Sequence, residues 1–293
     1  MRFTENIWDK GKGILITTEI CLKRFKDDYS FRLEESTVKQ YILAVEQLIT
    51  YCDKPFTKIN SKEIRRWMFS LELKEYKAGS LKTKLAGVKL FFKYCIEEGL
   101  LTKDPVKNIP FPEVEDKLPS YLQSDELIQL RELVKGQIEE RAVIEVLYST
   151  GVRLMELVEI KKEDINWHER IITIPKGKRK KERIVLFTRE CAEHLKAYLD
   201  VREDTLPFVF VNTTSTGSMC PRTVQLNFQT YTKKLGIHMS PHTLRHTFAA
   251  HLAKKGMPLE CIQVLLGHNG PHQTQLYARL YHQARKEIYD QWM

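Results

Sequence analysis

Three prolines, Pro110, Pro112 and Pro119, fall within the stretch Asn108-Ile-Pro-Phe-Pro-Glu-Val-Glu-Asp-Lys-Leu-Pro119, and no apolar period runs through it. Proline has a fixed φ and no backbone donor, so neither a helix nor an inner strand passes through such a run. The stretch reads as an extended linker. A chain of 293 residues is long for one core and comfortable for two. The expected organisation is a helical N-terminal domain over 1–112, a linker over 113–120 and a second domain over 121–293.

Before the linker the apolar residues keep a helical period. Val38, Tyr41, Ile42, Val45, Leu48 and Ile49 form one buried stripe. Asn60 and Glu63 have the spacing of a capping box, followed by Ile64, Trp67, Met68 and Leu71 on one face. Ser80 is expected to cap the next helix, with Leu85, Val88, Phe92, Cys95 and Ile96 inward. Gly99 would stop that helix and Pro105 would prevent its continuation. A further helix over Ile16 to Phe25 completes a bundle of about four.

After the linker, Ser124 is expected to cap a helix bearing Leu127, Leu130, Leu133 and Val134. Helices over Glu140 to Ser149 and from Arg153 to before Asp164 follow. The β-branched runs Arg170–Pro175 and Arg183–Phe187 flank a polar turn and predict a hairpin, with Phe208–Val211 as a further short strand. Beyond Pro221 the chain reads as helical. The predicted fold class is mainly α with a small antiparallel β-sheet.

The formal charge of +9 favours a polyanionic partner, with nucleic acid ahead of an anionic membrane surface. No run of ~18 apolar residues predicts a spanning helix, and the first residues lack a signal peptide's apolar segment. The six cysteines contain no CxxC pair, so they are expected to be reduced, mostly packed thiols of a cytoplasmic protein, not a zinc ribbon.

Three segments concentrate groups suited to chemistry on an anion. They are Thr150-Gly-Val-Arg-Leu-Met-Glu156, Pro241-His-Thr-Leu-Arg-His246, and His268-Asn-Gly-Pro-His-Gln-Thr-Gln-Leu-Tyr277. Ser240 and Pro241 have the look of a helix cap and first turn, which puts His242 and Arg245 on one face. Capping and solvation are the plainer roles for these two. His242 and His246 also sit at metal-sharing spacing, but no carboxylate or cysteine is placed as a third ligand, so no metal is expected. Gly267 ends an apolar helix begun near Pro258 and turns His268 toward a cleft. A helix starting near Pro271 is expected to carry Tyr277, with Tyr281 one turn later as a rival nucleophile. A lone tyrosine on a helix is ordinarily packing, and only its company suggests more. The turn Lys176–Arg183 holds six basic residues against one acid, which suits either solvation or a DNA groove.

Taken in order, these residues resemble the tyrosine recombinase (lambda or phage integrase) family, and especially its Xer-like branch. The motif match runs from about residue 148 to 281. The resemblance implies a SAM-like helical core-binding domain followed by a catalytic domain. Arg153 matches the first catalytic arginine, with Glu156 as its support. Lys176, just before Gly177, matches the catalytic lysine, and Lys178 is the alternative because the turn is about two residues longer than usual. His242 and Arg245 match the His-x-x-Arg box, His268 the second histidine and Tyr277 the nucleophile. Lys178, Arg179 and Lys180 would contact DNA.

The resemblance further implies strand cleavage through a 3′-phosphotyrosyl intermediate on double-stranded DNA, with neither metal nor other cofactor, by a homotetramer on two sites. The segment near Tyr289 and Trp292 would dock on a neighbouring subunit. The phenol needs its proton removed, by His242 or by the phosphate environment. Leu186-Phe187 and Asn269-Gly-Pro depart from the usual Xer segments and point to integration or excision of a mobile element. Chromosome or plasmid dimer resolution, a non-cleaving DNA-binding regulator, a type IB topoisomerase and a metal-dependent nuclease are the alternatives.

Overall fold

The computed structural model describes residues 7–9, 14–114, 119–175, 182–267 and 272–292, with backbone alone at 7–9, 14–16, 272–273, 288–289 and 291–292. The chain divides into two compact units, Met1–Glu115 and Asp116–Met293.

The first unit opens with a two-stranded antiparallel pair, β1 (Ile7–Asp9) and β2 (Ile14–Ile16). Four helices follow: α1 (Thr18–Tyr29), α2 (Glu35–Cys52), α3 (Ser61–Leu73) and α4 (Ala78–Glu97). Their apolar stripes meet in one core, where Phe25 packs against Tyr29, Phe91 and Tyr94. The Asn60–Glu63 capping box forms as predicted, with Asn60 Oδ1 accepting from Glu63 N at 3.1 Å and Glu63 Oε2 accepting from Asn60 N at 3.0 Å. Ser80 is not a cap. The helix begins two residues earlier, after Lys77, whose carbonyl accepts from Ser80 N and Leu81 N. Gly99 does take the left-handed conformation just past the end of α4.

The second unit comprises α5 (Ser124–Leu133), α6 (Ile138–Thr150), α7 (Leu154–Glu159), a three-stranded antiparallel sheet, and α8 (Arg189–Asp200) to α13. The sheet runs β3 (Ile165–Asn166), β4 (Ile171–Ile174), β5 (Arg183–Leu186), with Ile172 opposite Val185. β3 was not expected from its two residues. The later helices are α9 (Pro221–Leu235), α10 (Pro241–Lys254), α11 (Leu259–Leu266), α12 (His272–Gln275) and α13 (Ala278–Trp292).

Two local expectations are corrected here. Ser124 is the first residue of α5, and Gln123 holds the cap position, its N–H donating to Glu126 Oε2 at 2.7 Å. Phe208–Val211 makes only isolated bridges, to Lys161 and Ser218. The carbonyls of Phe208 and Val209 accept from Arg202 Nη1 at 2.7 and 2.6 Å, while Val209 N donates to Ile160 O and Phe210 O accepts from Met219 N, so the backbone partners are scattered and no ladder forms.

α6 is buried nearly all round and carries a wholly buried carboxylate, Glu145, which accepts from Arg131 at 2.6 Å and Arg141 at 2.8 Å. Such a charge is tolerable inside only when paired in this way. α10 packs beside α6, and its Thr247 hydroxyl accepts from Leu122 N at 2.9 Å. Among the described residues no helix is long and apolar enough to cross a membrane. All six cysteines are free; Cys21, Cys95 and Cys191 are buried, whereas Cys220 and Cys261 are exposed.

Candidate active site

Two helix ends meet in the second unit, and guanidinium groups close them. The last carbonyls of a helix have no partner within it. At the end of α11, Leu265 O accepts from Arg183 Nε at 3.1 Å, Leu266 O from Arg245 Nη2 at 2.7 Å and Gly267 O from Arg153 Nη2 at 3.2 Å. At the end of α6, Gly151 O accepts from Arg245 Nη1 at 2.5 Å. Both glycines are required. Gly151 and Gly267 have φ of +63° and +62°, and an added Cβ would fall 2.5 Å from the Phe248 ring and 2.8 Å from Arg183 Cδ, respectively.

Glu156 ties the cluster together. Its oxygens accept from Arg153 N at 2.7 Å and Arg153 Nη1 at 2.9 Å, and from Arg183 Nη1 and Nη2 at 2.9 and 2.7 Å. Burial works to raise this carboxyl. The Arg183 fork, the Arg153 amide and the two positive charges outweigh it and hold the pKa at about 2. Arg245 is only 3% exposed. Burial and the Arg153 charge pull its pKa down to about 9, which leaves it charged at neutral pH. Three guanidiniums against one carboxylate leave the cluster with a net positive charge.

His242 stands at the second position of α10, where Ser240 Oγ accepts from Thr243 N at 3.1 Å and Pro241 begins the helix, as the sequence predicted. It opens onto a cleft of about 750 Å³ that Arg153, Glu156, Arg183 and Arg245 also line. The cleft walls, then the Arg245 and Arg153 charges, push its pKa below the ordinary histidine value.

Tyr277 is not on a helix. It occupies the turn between α12 and α13, with its N–H donating to Thr274 O at 3.0 Å. The expected helix from Pro271 breaks after Gln275, and the Tyr277 ring joins the buried cluster that holds Phe248, Ala249, Ile262 and Leu266. The side chain is 1% exposed, and Oη lies 2.5 Å from His246 Nδ1. Burial raises the phenol above its ordinary pKa, and the Arg245 charge works in the opposite direction. Tyr281 is half-buried on α13, with the Arg285 guanidinium 5.6 Å from its ring centre.

The structure therefore gathers Arg153, Glu156, His242, Arg245 and Tyr277 in one region of the second unit. Lys176, Lys178, Arg179, Lys180 and His268 lie outside the described residues, and so do the side chains of Tyr289 and Trp292. Sequence reasoning missed Arg183, which shares Glu156 with Arg153, and it weighed His246 only as a metal ligand. The signal for His246 was its place one turn after His242. Arg183 had no signal, since it looked like the end of a basic turn. Among the described residues one trio, Glu145, Glu190 and His194, has metal-ligand spacing. Arg131 and Arg141 already pair with both of its carboxylates.

A mostly helical catalytic unit with a small sheet, and two arginines beside a histidine and a tyrosine, defines the tyrosine recombinase class. Residues 120–284 match the phage integrase family, and residues 22–100 match the phage integrase N-terminal SAM-like domain. The tyrosine recombinase XerA of Pyrococcus furiosus is 30% identical over 256 residues, covering 86% of each chain. XerC of Vibrio cholerae is 31% identical over 271 residues, covering 89% of this chain and 85% of its own. The fold also superposes on XerH recombinase bound to difH DNA with a TM-score of 0.73, at 19% identity, over 94% of this chain and 85% of that one. This chain belongs to the phage integrase family, as a site-specific tyrosine recombinase similar to the Xer proteins.

Proposed function

We propose that the protein cuts and rejoins double-stranded DNA with Tyr277 as nucleophile, in the integration or excision of a mobile element. The observation that carries this reading is the convergence of the Arg153 and Arg245 guanidiniums with His242 on one cleft, with Tyr277 packed on the adjoining turn.

The roles follow from charge. A phosphodiester repels a nucleophile, and its non-bridging oxygens gain charge in the pentacoordinate transition state. Arg153 and Arg245 clamp those oxygens with forked donors, preorganised by the carbonyls of Gly267, Gly151 and Leu266. His242 adds a hydrogen bond from the mouth of the cleft, and His268 another. Glu156 holds Arg153 in place. Lys176, or Lys178 in its stead, protonates the departing 5′ oxygen. Tyr277 keeps the 3′ phosphate as an ester, so the bond energy is conserved without metal or nucleotide. Lys178, Arg179 and Lys180 contact the DNA.

The core-binding domain of 1–112, the linker of 113–120 and the catalytic domain of 121–293 engage DNA together, as a homotetramer on two sites in the cytoplasm. The deciding experiment is to sequence the DNA captured covalently on Tyr277 in the host. Junctions of a mobile element are expected. Capture confined to one chromosomal or plasmid site would favour dimer resolution. Absence of any adduct would favour a non-cleaving regulator.

A further inference from the structure

The hydrogen bond of the Tyr277 phenol goes to His246, with Oη 2.5 Å from Nδ1. His246 in turn meets the His242 ring edge-on, 4.3 Å between centroids at 74°. His242 opens onto the cleft, whereas His246 is half-buried between it and the tyrosine. Two imidazoles one helical turn apart on α10 thus divide the work by depth: the outer one faces the substrate cleft and the inner one faces the nucleophile.

Taking Tyr277 as the nucleophile, we propose that His246 is a catalytic residue, the general base that takes the phenolic proton during strand cleavage. A general base must lie within hydrogen-bond reach of the proton it removes, and His246 Nδ1 meets that condition. As Tyr277 Oη bonds to phosphorus, its proton passes to Nδ1, and His246 becomes an imidazolium. The bond from phosphorus to the 5′ oxygen breaks, and that oxygen is protonated by the lysine. On rejoining, a 5′ hydroxyl gives its proton back to the lysine as it attacks the phosphotyrosine, the phenolate leaves, and His246 returns the proton to it.

The surroundings suit a base that becomes charged while DNA is bound. Among the described residues, His242 on α10 and Tyr277 on the turn before α13 meet it directly, and Arg153 and Arg245 line the cleft onto which His242 opens. A phosphodiester held by Arg153 and Arg245 brings negative charge to the site, which favours the imidazolium that forms there. The buried phenol, raised above its ordinary pKa, needs such a partner.

The test measures covalent adduct formation by the full chain in a single turnover. The probe is a nicked duplex selected from a random-sequence pool by covalent capture on the wild type. His246→Asn offers Tyr277 a polar neighbour but no basic nitrogen, and cleavage is expected to fall about 10²-fold or more, with DNA binding and the thermal midpoint unchanged. Tyr277→3,5-difluorotyrosine supplies a phenol that ionises far more readily. In the His246→Asn background it should restore cleavage to within about 10-fold of the wild type carrying the same analogue. The proposal is overturned if His246→Asn cleaves as fast as the wild type or faster, or if its defect persists with the fluorinated phenol. A wild type that captures nothing from the pool would instead overturn the role of Tyr277 itself, and this proposal with it.

Discussion

Arginine is needed at position 153 for its shape as much as its charge. One guanidinium reaches both Glu156 and Gly267 O and still faces the cleft. Arg153→Lys keeps the charge but loses the fork. Adduct formation in a single-turnover assay should fall about 10²-fold or more, with binding affinity little changed. Glu156 yields a prediction in pH. Its pKa of about 2 in the folded chain lies below the ordinary carboxylate value of about 4.3. A depressed pKa contributes stability that is complete above the unfolded value and lost as pH falls toward the folded one. The thermal midpoint of the wild type should exceed that of Glu156→Gln near neutral pH, and the gap should close between about pH 4.5 and 2.

Helix ends, more than helix interiors, build this site. Gly151 closes α6 with φ of +63° and presents its carbonyl to Arg245. Gly151→Ala would strain the backbone and force the Phe248 ring away from its 2.5 Å contact. A loss of at least about 1–3 kcal/mol is expected in denaturant unfolding of the second unit's core, with slower cleavage because Arg245 loses a fixed acceptor. The Asn60 cap of α3 is the simpler case. Asn60→Ala removes the acceptor of two N–H groups and should cost about 1 kcal/mol, with no effect on chemistry at Tyr277. Element reading succeeded where pattern and cap agreed, as at Asn60 and at Ser240 with Pro241. It failed at Ser80 and Ser124, because a serine near a helix start fits the first turn as well as the cap. It failed at Phe208–Val211 because alternating aromatic and β-branched residues look like a strand whether or not their backbone partners line up in a ladder.

For the whole molecule, the excess of cations makes association with DNA depend on salt. The logarithm of the binding constant should fall linearly with the logarithm of salt concentration, with a slope of about −0.9 per phosphate neutralised. Tyr277→Phe should follow the same line while forming no adduct. Weaker binding at every salt concentration, with the slope unchanged, would place the phenol among the groups that hold DNA.

The sequence alone determined the helical periods, the break at the prolines, and the order of Arg153, His242, Arg245 and Tyr277 that marks the family. Those features are local or ordered along the chain, so a linear reading recovers them. Only the tertiary structure decided that Arg183 joins Arg153 on Glu156, that three guanidiniums close the end of α11, and that Tyr277 meets His246. Apart from Arg153 and Glu156, which lie three apart, those contacts span 21 to 114 positions in the chain. They exist because unsatisfied carbonyls and a buried phenol must find partners in space, and no spacing rule specifies which.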